Sequence, residues 1–379
     1  MQQALRLLVS AGDYSGDMHG ASLCRTLRSV HKGSVHITSL GGNALDEQSD
    51  VFLYDMVKLA AFGFVKPVFL FFRLYYILNR IIKTYLNEKK IDAVILIDYY
   101  GFNIHVASVC HRRSIPVIYY ISPQIWATRT YRVHRLKRLI MRMLVIFPFE
   151  VDWYRRYRVP VEFVGHPLRD LVPDPPQPPL ISHHPRIGIL PGSRIGEINR
   201  TLPIMLQTVR TMNDMFPHAK FFLFIPHNAD KRITGLVERY VRNTDIEIVK
   251  EQTYAVRKTL AIALTTSGTA TLENALLGIP MVVMYRTSWI TYWLARMIIK
   301  VPYICMVNIL LNKALVPEFI QHHARPRALA SKIHEIISDS RSYTRFREEL
   351  LTTQSLLGRR GSAKRTAERI LTILNQGYA

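Results

Sequence analysis

The sequence predicts an α/β fold built from parallel strand–helix units in two halves, and three observations carry that reading. Short apolar runs rich in Val and Ile alternate with helical patterns through the first half, the signature of a layered parallel sheet. The same alternation starts afresh near residue 186. Between the halves lies VPDPPQPPLISHHP, residues 172–185, where five of the seven residues at 173–179 are proline. Proline continues neither a helix nor a central strand, so this stretch is the joint or a stiff connection beside it. A chain of 379 residues also exceeds one comfortable core, since domains hold about 150 residues each.

In order, LRLLVS (5–10) reads as a strand, 18–30 as a helix and VHITSL (35–40) as a strand. AVILID (93–98), PVIYYI (116–121) and MLVIF (143–147) are further buried strands, separated by helices at 102–113 and 128–140. After the joint come strands at 186–191, 219–226, 246–249, 260–266 and 280–285, with helices at 195–212, 229–242 and 269–277. From 326 the chain is helical and ends in a basic amphipathic helix near 361–376. The expected domains are 1–170, 171–340 and a helical segment 341–379 that packs back on the first domain or swaps within a dimer.

Apolar residues make up 49% of the chain and mean hydropathy is +0.06, which excludes a disordered or fibrous protein. Lys and Arg number 50 against 28 Asp and Glu, a formal charge of +22. Such an excess points to anionic partners, whether nucleic acid, anionic lipid or phosphorylated substrates, without choosing among them. Cys24, Cys110 and Cys305 are far apart and form no CxxC pair, so neither a disulfide framework nor a zinc ribbon is indicated, and a reducing compartment is expected. The opening MQQALRLLVSAGDYSGD has too short an apolar core for a signal peptide and reads as a first strand.

Residues 62–82, FGFVKPVFLFFRLYYILNRII, are nearly all large and apolar but carry Lys66, Arg73 and Arg80 at intervals of seven. A transmembrane helix needs about 20 apolar residues with few or no charges. On a helix the three cations share roughly one face, which suits a segment lying in a membrane surface with its bases on lipid phosphates. The rival reading is a buried interdomain or dimer helix. The membrane reading is adopted, with Phe64, Val68, Phe69, Leu70 and Phe72 as the patch.

Two strand-to-helix turns in the second half carry the most chemistry. In LPGSRIGE, Gly192 lets the backbone approach a ligand, Ser193 can cap or donate, and Arg194 offers a bidentate cation beside free helix N–H groups. In TTSGTATLE, the small residues Ser267, Gly268, Thr269 and Ala270 expose consecutive donors, and Glu273 sits one turn inside the helix on the same face. A diphosphate on the helix start with ribose hydroxyls on the acid would suit a nucleotide. The rival is a pair of capped turns without a ligand. No GxxxxGK[ST], no GxGxxG and no DxD pair occurs.

In the first half, IDYYGFN puts Asp98 at the carboxyl end of a central strand, where open α/β sheets bind ligands and a carboxylate can serve as general base. His19 and His105 are rival bases, and the rival structural role for Asp98 is a helix cap. Ser15 and Asp17, in the first glycine turn, either hold sugar hydroxyls or shape the loop. In WATRTYRVHRLKRLIMR, Arg132, Arg135, Arg138 and Arg142 form roughly one helical stripe, with Arg129 nearby. Such a stripe could hold a phosphorylated lipid, an anionic membrane or an RNA backbone.

Taken together, these motifs resemble the lipid-A-disaccharide synthase family. The matching segments are SAGDYSGDMHGASL (10–23), IDYYGFN (97–103), ISPQIWATRTYRV (121–133), FPFEVDWYRRYRVPVEFVGHPLRD (147–170), LPGSRIGEI (190–198), TSGTATLENALLGIPMVVMYR (266–286) and VNILLNKALVPEFIQ (307–321). They run in order over nearly the whole chain. The pattern differs at Asp13, where the family often has Glu, and at Gly101, where many members carry Asp, leaving Asp98 to match the family's essential acid.

The resemblance implies a GT-B fold, two Rossmann-like domains facing across a cleft, with the sugar nucleotide on the second domain and the acceptor on the first. It implies an inverting condensation of UDP-2,3-diacylglucosamine with 2,3-diacylglucosamine 1-phosphate to a β-1′,6 tetraacyl disaccharide 1-phosphate and UDP. Asp98 would be the base and Arg194 the stabiliser of the leaving diphosphate. Gly192, Ser193, Ser267, Gly268, Thr269, Ala270, Glu273 and Asn308 would hold UDP, and Ser15, Asp17, His19, Arg129 and Arg132 the acceptor. No cofactor, metal or nucleic acid is expected. The expected location is cytoplasmic, peripheral at the inner membrane, with a homodimer as one arrangement. The rivals are a UDP-sugar epimerase of the same fold, or a basic nucleic-acid-binding protein that would leave both nucleotide-type turns unexplained.

Overall fold

The structure is a computed structural model that describes residues 4–61, 67–177, 184–227 and 229–376, without the side chains of 60, 61, 67–71, 290, 291, 294 and 295. The chain divides into two compact units, Met1–Asp170 with Leu357–Ala379, and Leu171–Leu356. The terminal segment 341–379 is therefore split, its first part belonging to the second unit and its last to the first.

In the first unit the described strands are β1 (Leu5–Ala11), β2 (Val35–Gly41), β3 (Val51–Asp55), β4 (Ala93–Ile97), β5 (Val117–Tyr120), β6 (Arg142–Val145) and β7 (Val161–Phe163). They form one sheet in the order β3-β2-β1-β4-β5-β6-β7, every pair parallel. β4 is buried at all five positions, as expected of a strand covered on both faces by crossover helices, whereas β3 at the edge is half-buried throughout. Chain order reverses between β1 and β4, which pair from Leu7↔Ala93 to Ala11↔Ile97. At such a switch point the connections leave in opposite directions and open a crevice at the strands' carboxyl ends.

The second unit repeats the device with β8 (Arg186–Leu190), β9 (Lys220–Pro226), β10 (Ile246–Glu251), β11 (Ile262–Thr266), β12 (Met281–Tyr285) and β13 (Glu318–Ile320). Their order is β10-β9-β8-β11-β12-β13, again parallel, with the reversal between β8 and β11. Two parallel, doubly wound sheets with helices are the two Rossmann-like units expected of a GT-B chain.

Several expectations need correction. The helix read at 128–140 is a short turn at Thr130–Arg132 followed by a helix over Val133–Leu139, and Arg142 lies in β6, paired with Glu162 at 3.2 Å. A strand residue cannot extend a helical stripe, so the four-arginine stripe ends at Arg138. In the 62–82 segment, Phe64 lies outside the described residues, as do the side chains of Val68, Phe69 and Leu70. Phe72 is 63% exposed, and Tyr75 and Tyr76 beside it are exposed too. Ile77 and Ile82, in the π-helical turn that follows, are fully buried. The segment is thus outward-facing at 72, 73, 75 and 76, and packs into the core at 74, 77 and 82. No helix among the described residues is long and apolar enough to cross a membrane.

Candidate functional site

The carboxyl end of β1 continues into Gly12 and Asp13, and Asp13 caps the helix Tyr14–Val30 by accepting a hydrogen bond from Gly16 N at 2.8 Å. Next to it, β4 ends in Asp98 and Tyr99, both in the left-handed region at φ 43°. Non-glycine residues rarely adopt that conformation, and where they do the surrounding contacts must hold them. Here they do. The Asp98 carbonyl accepts from Asn103 Nδ2 at 3.0 Å and from the Tyr119 hydroxyl, while Asp98 N donates to Ile121 O at 3.1 Å. Asn103, itself fully buried, accepts from Ser10 Oγ at 2.7 Å and donates to Ile97 O at 3.0 Å. The side chain of Asp98 is left free of this clamp.

Burial first, and the Asp13 carboxylate second, push the Asp98 carboxyl up to about 7. That is the range in which an acid can give up its charge and take a proton near neutral pH. The rival bases fare differently. Burial lowers His19 to about 4 against the pull of Asp13, and its Nε2 lies 3.3 Å from Ser15 Oγ. His105 is exposed and lowered by burial and by Arg135. It lines a cavity of about 340 Å³ with Tyr100, Tyr131, Arg132 and Arg135, where the Arg132 guanidinium stands 4.4 Å from the Tyr100 ring centre. Arg129 is exposed nearby in sequence.

Asp17 belongs to the loop, not to a ligand. It is 2% exposed and accepts from the backbone N–H of Gly42 (2.7 Å), Ala44 (3.1 Å) and Leu45 (3.1 Å), capping the short helix Asn43–Asp46. Ser15 remains exposed at the first turn.

In the second unit both expected turns stand at the switch point, one after β8 and one after β11. Gly192 has φ +103°, and a Cβ there would come within 2.2 Å of Glu197 Oε2. Glu197, buried enough to raise its pKa, accepts from the Ser193 backbone N–H and from the Thr266 side chain, tying one turn to the strand that leads into the other. Ser193 and Arg194 are exposed, and the long helix Ile195–Met215 begins there without a side-chain cap. After β11, Ser267 Oγ donates to Ile304 O at 2.7 Å, while Gly268 and Thr269 are exposed and the helix Thr269–Leu276 is also uncapped by a side chain. Ala270 follows, half-buried. Two helix starts without a side-chain cap, beside a cation, form a place for an anion, with the Ser193 N–H already given to Glu197.

Glu273 lies one turn inside that second helix, its Oε1 accepting from Tyr254 at 2.9 Å and its Oε2 from Arg257 at 2.5 Å. Arg257 is 6% exposed and also pairs with Glu251. The acid is thus held in a fixed orientation with lone pairs to spare. Asn308 departs from the expectation of a ligand contact. It is 1% exposed, donates to Val316 O (2.8 Å) and Glu318 Oε1 (2.9 Å), and accepts from Val316 N (2.8 Å), so its amide is spent on the chain's own turn. Among the described residues no group of three or more His, Cys, Asp and Glu is placed to hold a metal ion.

Sequence reasoning missed Asn103, Tyr119, Glu197, Tyr254 and Arg257. Glu197 had a local signal, an acid three residues after the residue that opens its helix. Tyr254 and Arg257 meet Glu273 only through the fold.

Comparison with known proteins identifies the family and the fold. A family model described as lipid-A-disaccharide synthetase matches residues 7–373. The lipid-A-disaccharide synthase of Geobacter metallireducens is 34% identical over 393 residues, covering 98% of each chain, and that of Geobacter sulfurreducens is 34% identical with the same coverage. Among solved structures, the UDP-GlcNAc 2-epimerase of Neisseria meningitidis bound to UDP-GlcNAc superposes with a TM-score of 0.62 at 14% identity, covering 98% of this chain and 100% of that one. MurG of Acinetobacter baumannii gives 0.58 at 12%, covering 98% and 100%. Those low identities speak to the fold alone. The family match and the sequence relatives, spanning nearly the whole chain, establish that it belongs to the lipid-A-disaccharide synthase family of glycosyltransferases.

Proposed function

We propose that the enzyme transfers a 2,3-diacylglucosaminyl group from UDP to the 6-hydroxyl of 2,3-diacylglucosamine 1-phosphate, with inversion at the anomeric carbon. The observation that carries this reading is Asp98, clamped by its backbone at a switch point with its carboxyl pushed to about 7. In one displacement its carboxylate takes the hydroxyl proton as the acceptor oxygen bonds to the anomeric carbon. The bond from that carbon to the diphosphate breaks, and UDP leaves with the electron pair. Arg194 and the amides at 192, 194 and 267–270 would meet the charge that develops on the diphosphate, a preorganised role that asks for no metal. Glu273, held by Tyr254 and Arg257, would accept the ribose hydroxyls. The Arg132 and Arg135 cavity in the first unit suits the acceptor's phosphate.

The substrates' acyl chains and the exposed Phe72, Tyr75 and Tyr76 support a peripheral position on the cytoplasmic face of the inner membrane. Transfer is preferred to epimerisation because relatives at 34% identity carry the synthase name, whereas the epimerases match at 14% or less among those compared. Incubating the protein with UDP-2,3-diacylglucosamine and the acylated sugar phosphate should yield UDP and a tetraacyl disaccharide in equal amounts. Release of UDP with no disaccharide, or conversion of the donor at its 2-position, would overturn the assignment.

A further inference from the structure

The helix Trp289–Ile298 follows β12 on the carboxyl edge of the second sheet, the edge that also carries the two turns. Trp289 is 55% exposed, Trp293 59% and Met297 76%, and Ile298 and Ile299 are exposed beyond them. Positions 289, 293, 296 and 297 fall on one helical face. Single exposed apolar residues are ordinary, but two tryptophans and a methionine in one stripe are not. Trp289 is steadied from beneath, its ring stacked on His322 at 6.3 Å. Arg296, exposed on the same face, donates to the Tyr292 hydroxyl at 3.0 Å, and Arg286 and Lys300 flank the helix. Between Glu273 and Glu318 the sequence contains no acidic residue, so every charged residue that the helix and its flanking segments themselves carry is a Lys or Arg.

We propose that this face docks on an anionic bilayer, giving the second unit a lipid contact of its own, separate from the 62–82 segment of the first. Tryptophan settles at the boundary between headgroup and acyl chain, with its ring buried and its N–H wet. Arg296 and Lys300 reach the lipid phosphates while their stems cover apolar surface. A second copy of the chain is the poorer occupant. A two-fold contact sets the same patch against itself, and would bring these cations together with no acid from this stretch of chain to neutralise them. The helix's place beside the turns would let an acylated sugar nucleotide pass from the bilayer to the anion site without leaving apolar surroundings.

The test uses the full-length protein and vesicles with no sugar substrate, so its failure leaves the proposed reaction standing. Brominated phosphatidylglycerol vesicles should quench most of the tryptophan emission, and neutral phosphatidylcholine vesicles much less. Trp289→Phe/Trp293→Phe should keep vesicle binding and lose the quenching, because Trp126 and Trp153 remain as internal reporters. Trp289→Ser/Trp293→Ser should lower partition at least about tenfold, and Arg296→Glu/Lys300→Glu should cut the preference for anionic lipid by about tenfold. The inference is overturned if the protein fails to bind anionic vesicles, or binds them unquenched. It is equally overturned if the Phe pair stays fully quenched, or if the Ser pair changes the sedimenting mass and not the partition. The quenching readouts on the wild type and the Phe pair decide the matter even where the Ser pair folds poorly.

Discussion

Tyr99 occupies the space that a side chain on Gly12 would need: a Cβ at residue 12 would lie 2.0 Å from the Tyr99 ring. The end of β1 is therefore shaped to admit the residue next to Asp98, and the two ends of the switch point are fitted to each other. Gly12→Ala should push Tyr99 aside and misdirect the Asp98 carboxylate. The expected loss in kcat is about 10²-fold, the scale of a misplaced catalytic group. UDP affinity, which the proposed function assigns to the second unit, should stay within about twofold by calorimetry. Loss of UDP binding to the same degree would show a global defect instead.

The raised Asp98 carboxyl predicts both a rate profile and a stability profile. As the base it works deprotonated, so kcat/KM should rise with pH through an apparent pKa near 7 and fall roughly tenfold by about pH 6. For stability the sign is opposite. Between about 3.8 and about 7 the folded state holds a proton that the unfolded chain has lost, so stability declines as pH rises across that window. Asp98→Asn removes this burden. At about pH 8 the variant should melt higher than wild type, by an order-of-magnitude ceiling of about 4 kcal/mol, and the gap should close below about pH 4. Equal melting at both pH values would contradict the buried-acid reading.

Arg194 is exposed, so Arg194→Ala should leave melting unchanged and lower kcat by about 10²–10³. Gly192→Ala differs in kind, because the added methyl meets Glu197 at 2.2 Å and φ is +103°. It should destabilise the second unit as well as weaken UDP binding, which denaturation and titration measured side by side would separate.

Asn308 and Arg257 are both buried polar residues near the second switch point, yet they should respond differently. Asn308→Ala strands the Val316 backbone groups, and unfolding free energy should fall by about 2–3 kcal/mol with kcat per folded molecule kept. Arg257→Met leaves Glu251 and Glu273 facing each other, which should cost about 3–5 kcal/mol and raise KM for the UDP-sugar. A normal KM in a folded Arg257→Met protein would remove Glu273 from the nucleotide site.

What the sequence made legible was periodic or local. Buried strands such as 93–97 announce themselves as unbroken apolar runs, and the turns at 191–194 and 267–268 as small residues between a strand and a helix. The short edge strands β3, β7 and β13 are half-buried or brief and carry no such run. Asp17 read as a ligand residue because a carboxylate in a glycine turn looks alike whether it faces solvent or the N–H groups of residues 42–45. Asn308 misled for the same reason, since its partners at 316 and 318 are brought to it by a turn that only the fold defines. The Arg257 bridge between Glu251 and Glu273 joins three elements and had no signature within any one of them.

Asp98 taking the acceptor's proton is the claim on which the rest depends, and single-turnover transfer by Asp98→Asn tests it most directly. The amide keeps the size and the backbone clamp but cannot accept that proton. Transfer should slow by about 10²–10³ while binding of the UDP-sugar, measured on the same sample, stays at the wild-type level. Transfer within a few-fold of wild type would contradict the account and hand the base's role to another residue.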